Sequence, residues 1–554
     1  MTDPATVPAR PPIALTVDGR AAEVPDDGAS LLTVLRERLG VQSAKDGCSP
    51  QGQCGCCTVL VDGQPRVACV TPARRVRGRS VTTLDGLDPD ELRSWGEAFC
   101  AAGASQCGFC TPGIVVRLSG LAARGVGAGD HDAVEQALLA HLCRCTGWRT
   151  ILDAWDRHAA GPAAVPDTAA VPAPAGRDLE AASARATIEG RSPQRVSPAV
   201  ALGHGGFADD EAPAGALVAV PDPAGGWAVG ETLAAARAGA GKVQGRRSTA
   251  GVRHPLDVPT GEWAASLRTT WVEPAYLELD ASWCAPSGEP ATPLANGGAF
   301  GGKLASVVTA AARELADRHG RPVRVLLARE DAVRLGPKRP PVAGGMRPDG
   351  TGALRVVSTP GVEAAVAAVA PGLQVEQHGV PGPPTSVELR AAGWAEALVL
   401  SAGAGVVARD GAPGVLSVER GDGRAAVALR SPDGAVARAE VVRADDPRVG
   451  VRVECGPVLD EVVLRSYCVA AAHMALGWVT SEGLAVDEAG EVHDLTIRSF
   501  GVLRAVDTPP VDVAVGAGAG PPVNGSDAVF AAVAAAAWLA QGCPPDWPTG
   551  VRLR

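Results

Sequence analysis

The chain reads as an α+β multidomain protein: a small β-rich domain, then a helical domain, then a long mixed α/β region. Three observations lead there. At 554 residues it is too long for one hydrophobic core. Ten of its 14 cysteines lie between Cys48 and Cys145, so one end carries a chemistry that the rest lacks. After residue 160 the composition turns to alanine and proline ("AAGPAAVPDTAAVPAPAG"), which marks an extended linker. The expected boundaries are 1–86, 87–160, a linker at 161–189, and 190–554.

Composition narrows the function classes. The chain is 46% hydrophobic but only 3% aromatic, so alanine and valine must supply much of the packing. A net charge of -10, with no Lys/Arg run, excludes a general nucleic-acid binder. No apolar stretch approaches 18 residues without a charge or a breaker, so no membrane span is predicted. The start, "MTDPATVPARPP", lacks the apolar core of a secretory signal, and a cytoplasmic location is expected. Thiols stay reduced there, so clustered cysteines read as metal or redox sites rather than disulfides.

In the first domain "IALTVDGRAAEV" is a hairpin turning at Asp18-Gly19. "SLLTVLRERLG" is a helix capped by Ser30, with Leu31, Leu32, Leu35 and Leu39 on its apolar face. "CTVLVDGQPRVACV" is a second hairpin at Asp62-Gly63. Between these lies "GCSPQGQCGCC", spaced Cys48-x5-Cys54-x2-Cys57, with Cys69 eleven residues further on. Plant-type [2Fe–2S] ferredoxins use C-x4-C-x2-C and a later cysteine. The hairpins and spacing therefore predict a ferredoxin-like β-grasp domain, with Cys48, Cys54, Cys57 and Cys69 as cluster ligands. The glycines at 47, 52 and 55 would let the backbone wrap the cluster and aim N–H groups at sulfur. Cys56 falls outside the pattern. A zinc site is the alternative, although zinc favours paired CxxC knuckles.

Residues 88–160 carry four helical patterns, and Cys107-x2-Cys110 and Cys143-x-Cys145 sit at helix starts and ends. Antiparallel packing would bring the two pairs together around a second [2Fe–2S] cluster. Cys100 is spare, and Cys284, Cys455, Cys468 and Cys543 read as small buried residues.

"GCSPQGQCGCCTV", "QCGFCTPG" and "LCRCTGW" together resemble the iron–sulfur part of the xanthine oxidase/aldehyde oxidoreductase family of molybdenum hydroxylases, over nearly all of residues 12–160. The resemblance implies two clusters relaying electrons from a molybdopterin-type molybdenum cofactor. It also implies that Gln106 hydrogen-bonds the pterin and that Cys145 lies at the pterin edge. Later, "NGGAFGGK" (296–303) is similar to a family glycine loop, which puts Gly298, Phe300 and Gly301 near the cofactor. "TTWVEPAYLELDASW" is similar to a family strand with Glu-Pro, and "SVELRAAGWAEA" places Arg390 on the cofactor side. Three departures stand out. The family's molybdenum subunit is longer. Ser466-Tyr467 replaces an expected Gly-Gln. Gly525-Ser526-Asp527 replaces the loop with the catalytic glutamate.

Asp527 is then the candidate general base for oxidative hydroxylation of a small aldehyde or N-heterocycle, while the plain reading of "NGSD" before an alanine-rich helix is an N-cap. The implied partners are a small-molecule substrate, a separate flavin subunit or ferredoxin as electron acceptor, and a second copy in a homodimer. The other reading is an electron-transfer or scaffold subunit whose C-terminal region is not catalytic.

Overall fold

Around Asp18-Gly19 the first hairpin forms as expected: β1 (Ile13–Val17) pairs antiparallel with β2 (Arg20–Val24). The structure is a computed structural model and describes residues 10–161, 176–241, 245 and 250–553. Ser30 accepts the Thr33 N–H at 3.1 Å and starts α1 (Leu31–Thr33), which widens into a π-helical turn, Val34–Arg38. The second hairpin is β3 (Thr58–Val61) with β4 (Gln64–Val67); β5 (Ser80–Thr82) closes a sheet ordered β2-β1-β5-β3-β4, in which only β1 and β5 run parallel.

The helical domain is α2 (Pro89–Ala102), α3 (Thr111–Ala122), α4 (His131–Ala137) and α5 (Arg149–Ala160). Asp88 caps α2 through the N–H groups of Asp90 and Glu91. Trp95 and Trp155, both fully buried, pack α2 against α5. The two domains dock tightly. The Leu142 N–H donates to the Cys54 carbonyl at 3.0 Å, which ties the second cysteine run to the first.

The expected linker does not extend to residue 189. Residues 162–175 lie outside the described residues, but α6 (Leu179–Gly190) is a regular helix capped by Asp178 and packed on the C-terminal region. Short helices α7 (Pro198–Ala201) and α8 (Ala208–Glu211) lead into a sheet ordered β7-β6-β10-β9. Its strands are β6 (Leu217–Pro221), β7 (Trp227–Gly230), β9 (Ala281–Cys284) and β10 (Val323–Leu326), flanked by α9 (Leu233–Ala240) and α10 (Val308–His319). A second sheet joins β8 (Ala265–Arg268), β11 (Val342–Met346), β12 (Gly352–Val357) and β13 (Leu373–His378), accompanied by α11 (Arg329–Leu335), α12 (Val362–Ala367) and α13 (Trp394–Ala404). A third runs in sequence order from β14 (Gly414–Gly421) through β15 (Arg424–Arg430), β16 (Val436–Val442) and β17 (Arg448–Glu454) to β18 (Val511–Gly516).

Across this third sheet lie α14 (Glu461–Thr480) and α15 (Ser526–Ala540). Every residue of α15 is buried, and its run of alanines lets the helix approach β15 and β16 closely. α14 bears on the expectation that no membrane span is present, and two other expectations need correcting. α14 is long and apolar enough to span a membrane by length and composition, with mean hydropathy 1.4; its apolar window is 94% buried inside the protein, so it is a core helix. The Glu273-Pro274 stretch is irregular rather than a strand, with an isolated bridge from Val272 to Arg339 and a proline that has no N–H to give a ladder. Cys543 is half-buried rather than buried, unlike Cys284, Cys455 and Cys468.

Candidate functional site

The thiols gather in two groups. Cys48 has the thiols of Cys54 and Cys69 within hydrogen-bonding reach, and Cys69 also reaches Cys57. In the helical domain the pairs are Cys110 with Cys143, and Cys107 with Cys145, the latter sulfurs 3.6 Å apart. A tetrahedral metal with thiolates at about 2.3 Å holds them roughly 3.8 Å apart. Each close pair therefore matches two ligands of one iron, and two such pairs match a [2Fe–2S] rhomb. Among the described residues no three His, Cys, Asp or Glu side chains converge as a single metal ion requires.

Several N–H groups do point at sulfur, those of Gln51, Gln53 and Cys69 in the first thiol group and of Cys145 and Thr146 in the second, rather than those of the glycines expected. Gln51 N–H meets Cys48 Sγ at 3.2 Å and Cys69 N–H meets Cys57 Sγ at 3.4 Å. Gly52 and Gly55 supply positive φ (+71° and +73°) so that the loop can turn there. Cys56 is buried, with its thiol within hydrogen-bonding reach of Cys54, so Cys54 has a close sulfur in both Cys48 and Cys56. Cys100, half-buried on α2, stands apart from both groups. Cys110 precedes α3 as expected, whereas Cys143 and Cys145 lie in the loop before α5.

From the second thiol group a continuous path of contacts leads into the C-terminal region. A Cβ at Gly298 would meet Cys107 Cβ at 2.7 Å and Cys145 Sγ at 3.4 Å, so only glycine lets the loop lie on that pair. Two residues on, the Phe300 ring lies 4.7 Å from the Arg390 guanidinium, and Arg390 N–H donates to the Phe300 carbonyl at 3.3 Å. Gly301 packs against the Glu388 backbone, just before Arg390. Arg390 in turn reaches Asp527 (Nε to Oδ1, 3.2 Å) and donates to Ser526 Oγ at 3.2 Å. Burial lowers the Arg390 pKa, against the opposing pull of Asp527. Beside Phe300 and Arg390 lies a cavity of about 30 Å³, walled by Met474, Trp478 and Phe530.

Asp527 does not cap α15. It sits in the first turn, 4% exposed, and its own N–H is capped by Asn524 Oδ1 at 2.9 Å. Its carboxylate is ion-paired with Arg390 and with Arg191, whose pKa is raised chiefly by that charge. The helix start is held by Glu189 of α6, which accepts the N–H groups of Gly525 (3.0 Å) and Ser526 (2.9 Å) and pairs with Arg185. The i,i+4 spacing of Arg185 and Glu189 was visible in the sequence; that the pair would be fully buried was not.

Gln106 is buried and donates its amide N–H to Ser466 Oγ at 3.0 Å, while its Oε1 has no partner. Beside Ser466, the Tyr467 hydroxyl donates to Gln194 Oε1, and burial pushes the phenol pKa up. The departure noted at Ser466-Tyr467 is thus built into the site. The second cysteine loop is also clasped from outside: Arg144 forms a buried two-pronged pair with Glu482 (2.6 Å each), and Trp148 donates to the Leu503 carbonyl at 3.1 Å.

Residues 83–156 match the [2Fe-2S] binding domain family. A probable xanthine dehydrogenase subunit from Bacillus subtilis is 38% identical over 139 residues, which is 25% of this chain and 79% of that protein. The aldehyde oxidoreductase of Megalodesulfovibrio gigas is 39% identical over 145 residues, but the match spans only 16% of its length. The fold likeness extends further. The crystal structure of the aldehyde oxidoreductase from Desulfovibrio desulfuricans superposes with a TM-score of 0.69 at 16% identity, covering 95% of this chain and 97% of that one. With its paired thiols, its helical cluster domain and this fold, the chain belongs to the xanthine dehydrogenase/aldehyde oxidoreductase family of molybdenum hydroxylases, oxidoreductases that relay electrons through [2Fe–2S] clusters.

Proposed function

We propose that the chain oxidises a small aldehyde or N-heterocycle at the junction of its second cluster and its C-terminal region. Electrons would leave through clusters held by Cys107, Cys110, Cys143 and Cys145, then by Cys48, Cys54, Cys57 and Cys69. The carrying observation is the unbroken path from Cys145 and Gly298 through Phe300 and Arg390 to Asp527. A separate flavin subunit or ferredoxin is the fitting acceptor, since the proposed route ends at a cluster. Reduced thiols suit a cytoplasmic setting, and a homodimer is part of the same reading.

The residues present suit the pterin edge of a molybdenum cofactor. Gln106 Oε1 is a sealed acceptor without a donor, and the Gly298 backbone lies on the Cys107–Cys145 pair. Gln106 and Cys145 would hold that edge, and Phe300, Gly301 and Arg390 would flank it. When bound, the cofactor supplies a two-electron oxidation of a C–H bond with water as the oxygen source. The chain's own contributions are local. Arg390 holds the Asp527 carboxylate at the N-terminal end of α15. Phe300, Trp478 and Phe530 supply the apolar part of the cavity wall, and Arg144, Glu273, Arg339 and Glu482 the charged part. Asp527, the candidate base, stands behind Arg390 rather than in the cavity wall. A cavity of about 30 Å³, room for about two waters at roughly 10–15 Å³ each, favours the smallest aldehydes among candidate substrates.

The test is Asp527→Asn, with molybdenum and iron content measured alongside aldehyde turnover. Loss of a general base is expected to cut turnover by about 10²–10⁴-fold with both metals retained. Unchanged turnover would remove Asp527 from the chemistry. Iron without molybdenum or turnover in the wild-type chain would favour an electron-transfer or scaffold role.

A further inference from the structure

The glycine loop does not face open space. A Cβ at Gly297 (φ +67°) would run into the amide of Gln194, so that carboxamide lies directly on the loop backbone. Gln194 is 5% exposed, and both ends of its amide are engaged. Its Nε2 donates to the Asn296 carbonyl at 3.0 Å, and its Oε1 accepts from Tyr467. Asn296 leads from there to the second cluster loop, since its Nδ2 donates to the carbonyls of Gln106 and Cys107, each at 3.2 Å. A carboxamide offers an adjacent N–H donor and C=O acceptor, the same pair that a pterin presents along its amide edge.

Resting on the cofactor reading above, we propose that residues 190–196 form an internal strap that occupies the pterin cradle. The Gln194 carboxamide stands in for the pterin amide, so strap and pterin exclude each other.

The strap is fastened on two sides. Two of its backbone hydrogen bonds run back to α6, Gln194 N–H to Thr187 Oγ1 at 3.2 Å and Val196 N–H to Ser183 Oγ at 2.9 Å; on the other side Arg195 N–H donates to Asn296 Oδ1 at 2.8 Å and Arg191 pairs with Asp527. Its apolar hold is a small cluster of Ala182, Ala186, Val463 and Tyr467 with Val196, separate from the main core. Lifting the strap costs the Tyr467 and Asn296 contacts and also the Arg191–Asp527 ion pair. An apparent affinity falls by the fraction of molecules whose cradle is closed.

The experiment uses the full iron-loaded chain and 6-carboxypterin as probe, with hydrogen exchange followed over residues 190–196. Gln194→Ala removes two hydrogen bonds from the closed state and is expected to tighten pterin binding roughly tenfold. Tyr467→Phe removes one and should move affinity in the same direction by less. In the wild type, pterin binding should speed exchange across 190–196. Equal affinities in wild type and both variants, no binding by any of them, or unchanged exchange on binding would each overturn the proposal. Molybdenum content of the same preparations separates the two readings. Metal bound with 190–196 still protected removes the strap and keeps the cofactor. Pterin binding gained by Gln194→Ala in a chain that never acquires molybdenum keeps the strap and removes the hydroxylase.

Discussion

Between Cys48 and Cys145 the side chains that matter are set by sulfur geometry; from α6 onward they are set by charge pairing inside a packed core. The first region matches relatives at 38–39% identity over about a quarter of the chain, whereas the full-length fold likeness holds at only 16%. A thiolate ligand has no substitute of equal length and softness, so each cluster position demands a cysteine. The C-terminal scaffold needs only volume and pattern, which alanine and valine supply as well as larger residues. What stays particular there is the set of buried ion pairs that hold the site: Arg390–Asp527, Arg339–Glu396, Lys338–Glu273 and Arg185–Glu189.

The sharpest break of this contrast comes from the thiols. Cys54→Ser should cost the whole first cluster, half of the chain's iron, and Cys56→Ser none, with iron analysis and the iron–sulfur paramagnetic signals as readout. Iron loss in Cys56→Ser would mean that the ring uses the other sulfur of "CGCC". A smaller effect tests the charge-paired region. Arg339 is 6% exposed, stacks 3.9 Å from the Trp478 ring and pairs with Glu396 at 2.8 Å. Arg339→Ala strands a buried carboxylate and should cost about 3–5 kcal/mol of C-terminal stability, read from the unfolding midpoint, with iron content unchanged.

The smallest effect is a pH dependence. His473 on α14 is buried, and burial lowers its pKa from 6.5 to about 4. The unfolded chain therefore takes up the proton first as pH falls. Stability is lost between about 6.5 and 4, and the loss levels off below; one site over that span is worth about 3 kcal/mol. His473→Gln should flatten this slope in acid unfolding curves, and an unchanged slope would assign it to other groups.

The sequence revealed these two regions unequally, for the same physical reason. Hairpins at Asp18-Gly19 and Asp62-Gly63 and the Ser30 cap are local signals, and each formed where expected; the cysteine spacing is a local signal too. Gly298, Phe300, Arg390 and Asp527 were legible only through resemblance, yet they converge. The roles of Glu189 and Gln194 were not legible. Glu189 reads as an ordinary helix carboxylate and Gln194 as a loop residue; their importance comes from partners 336 and 273 positions away. The reading of Asp527 as an N-cap failed because Asn524 and Glu189, a residue of another helix, took the free N–H groups instead.

The clasp over the second cysteine loop bears on the order of events during synthesis. Arg144 and Glu482 are 338 residues apart in the chain. At about 5–20 residues per second, the ribosome makes the second half of that clasp roughly 15–70 s after the first. Until then the loop between Cys143 and Cys145 has no roof, and afterwards it is sealed beneath Glu482 and Leu503. Iron delivered in that interval meets open thiols, whereas iron delivered later has to wait for a buried ion pair to part. Chain folded without iron should therefore fill its second cluster more slowly than chain supplied with iron while it is being made.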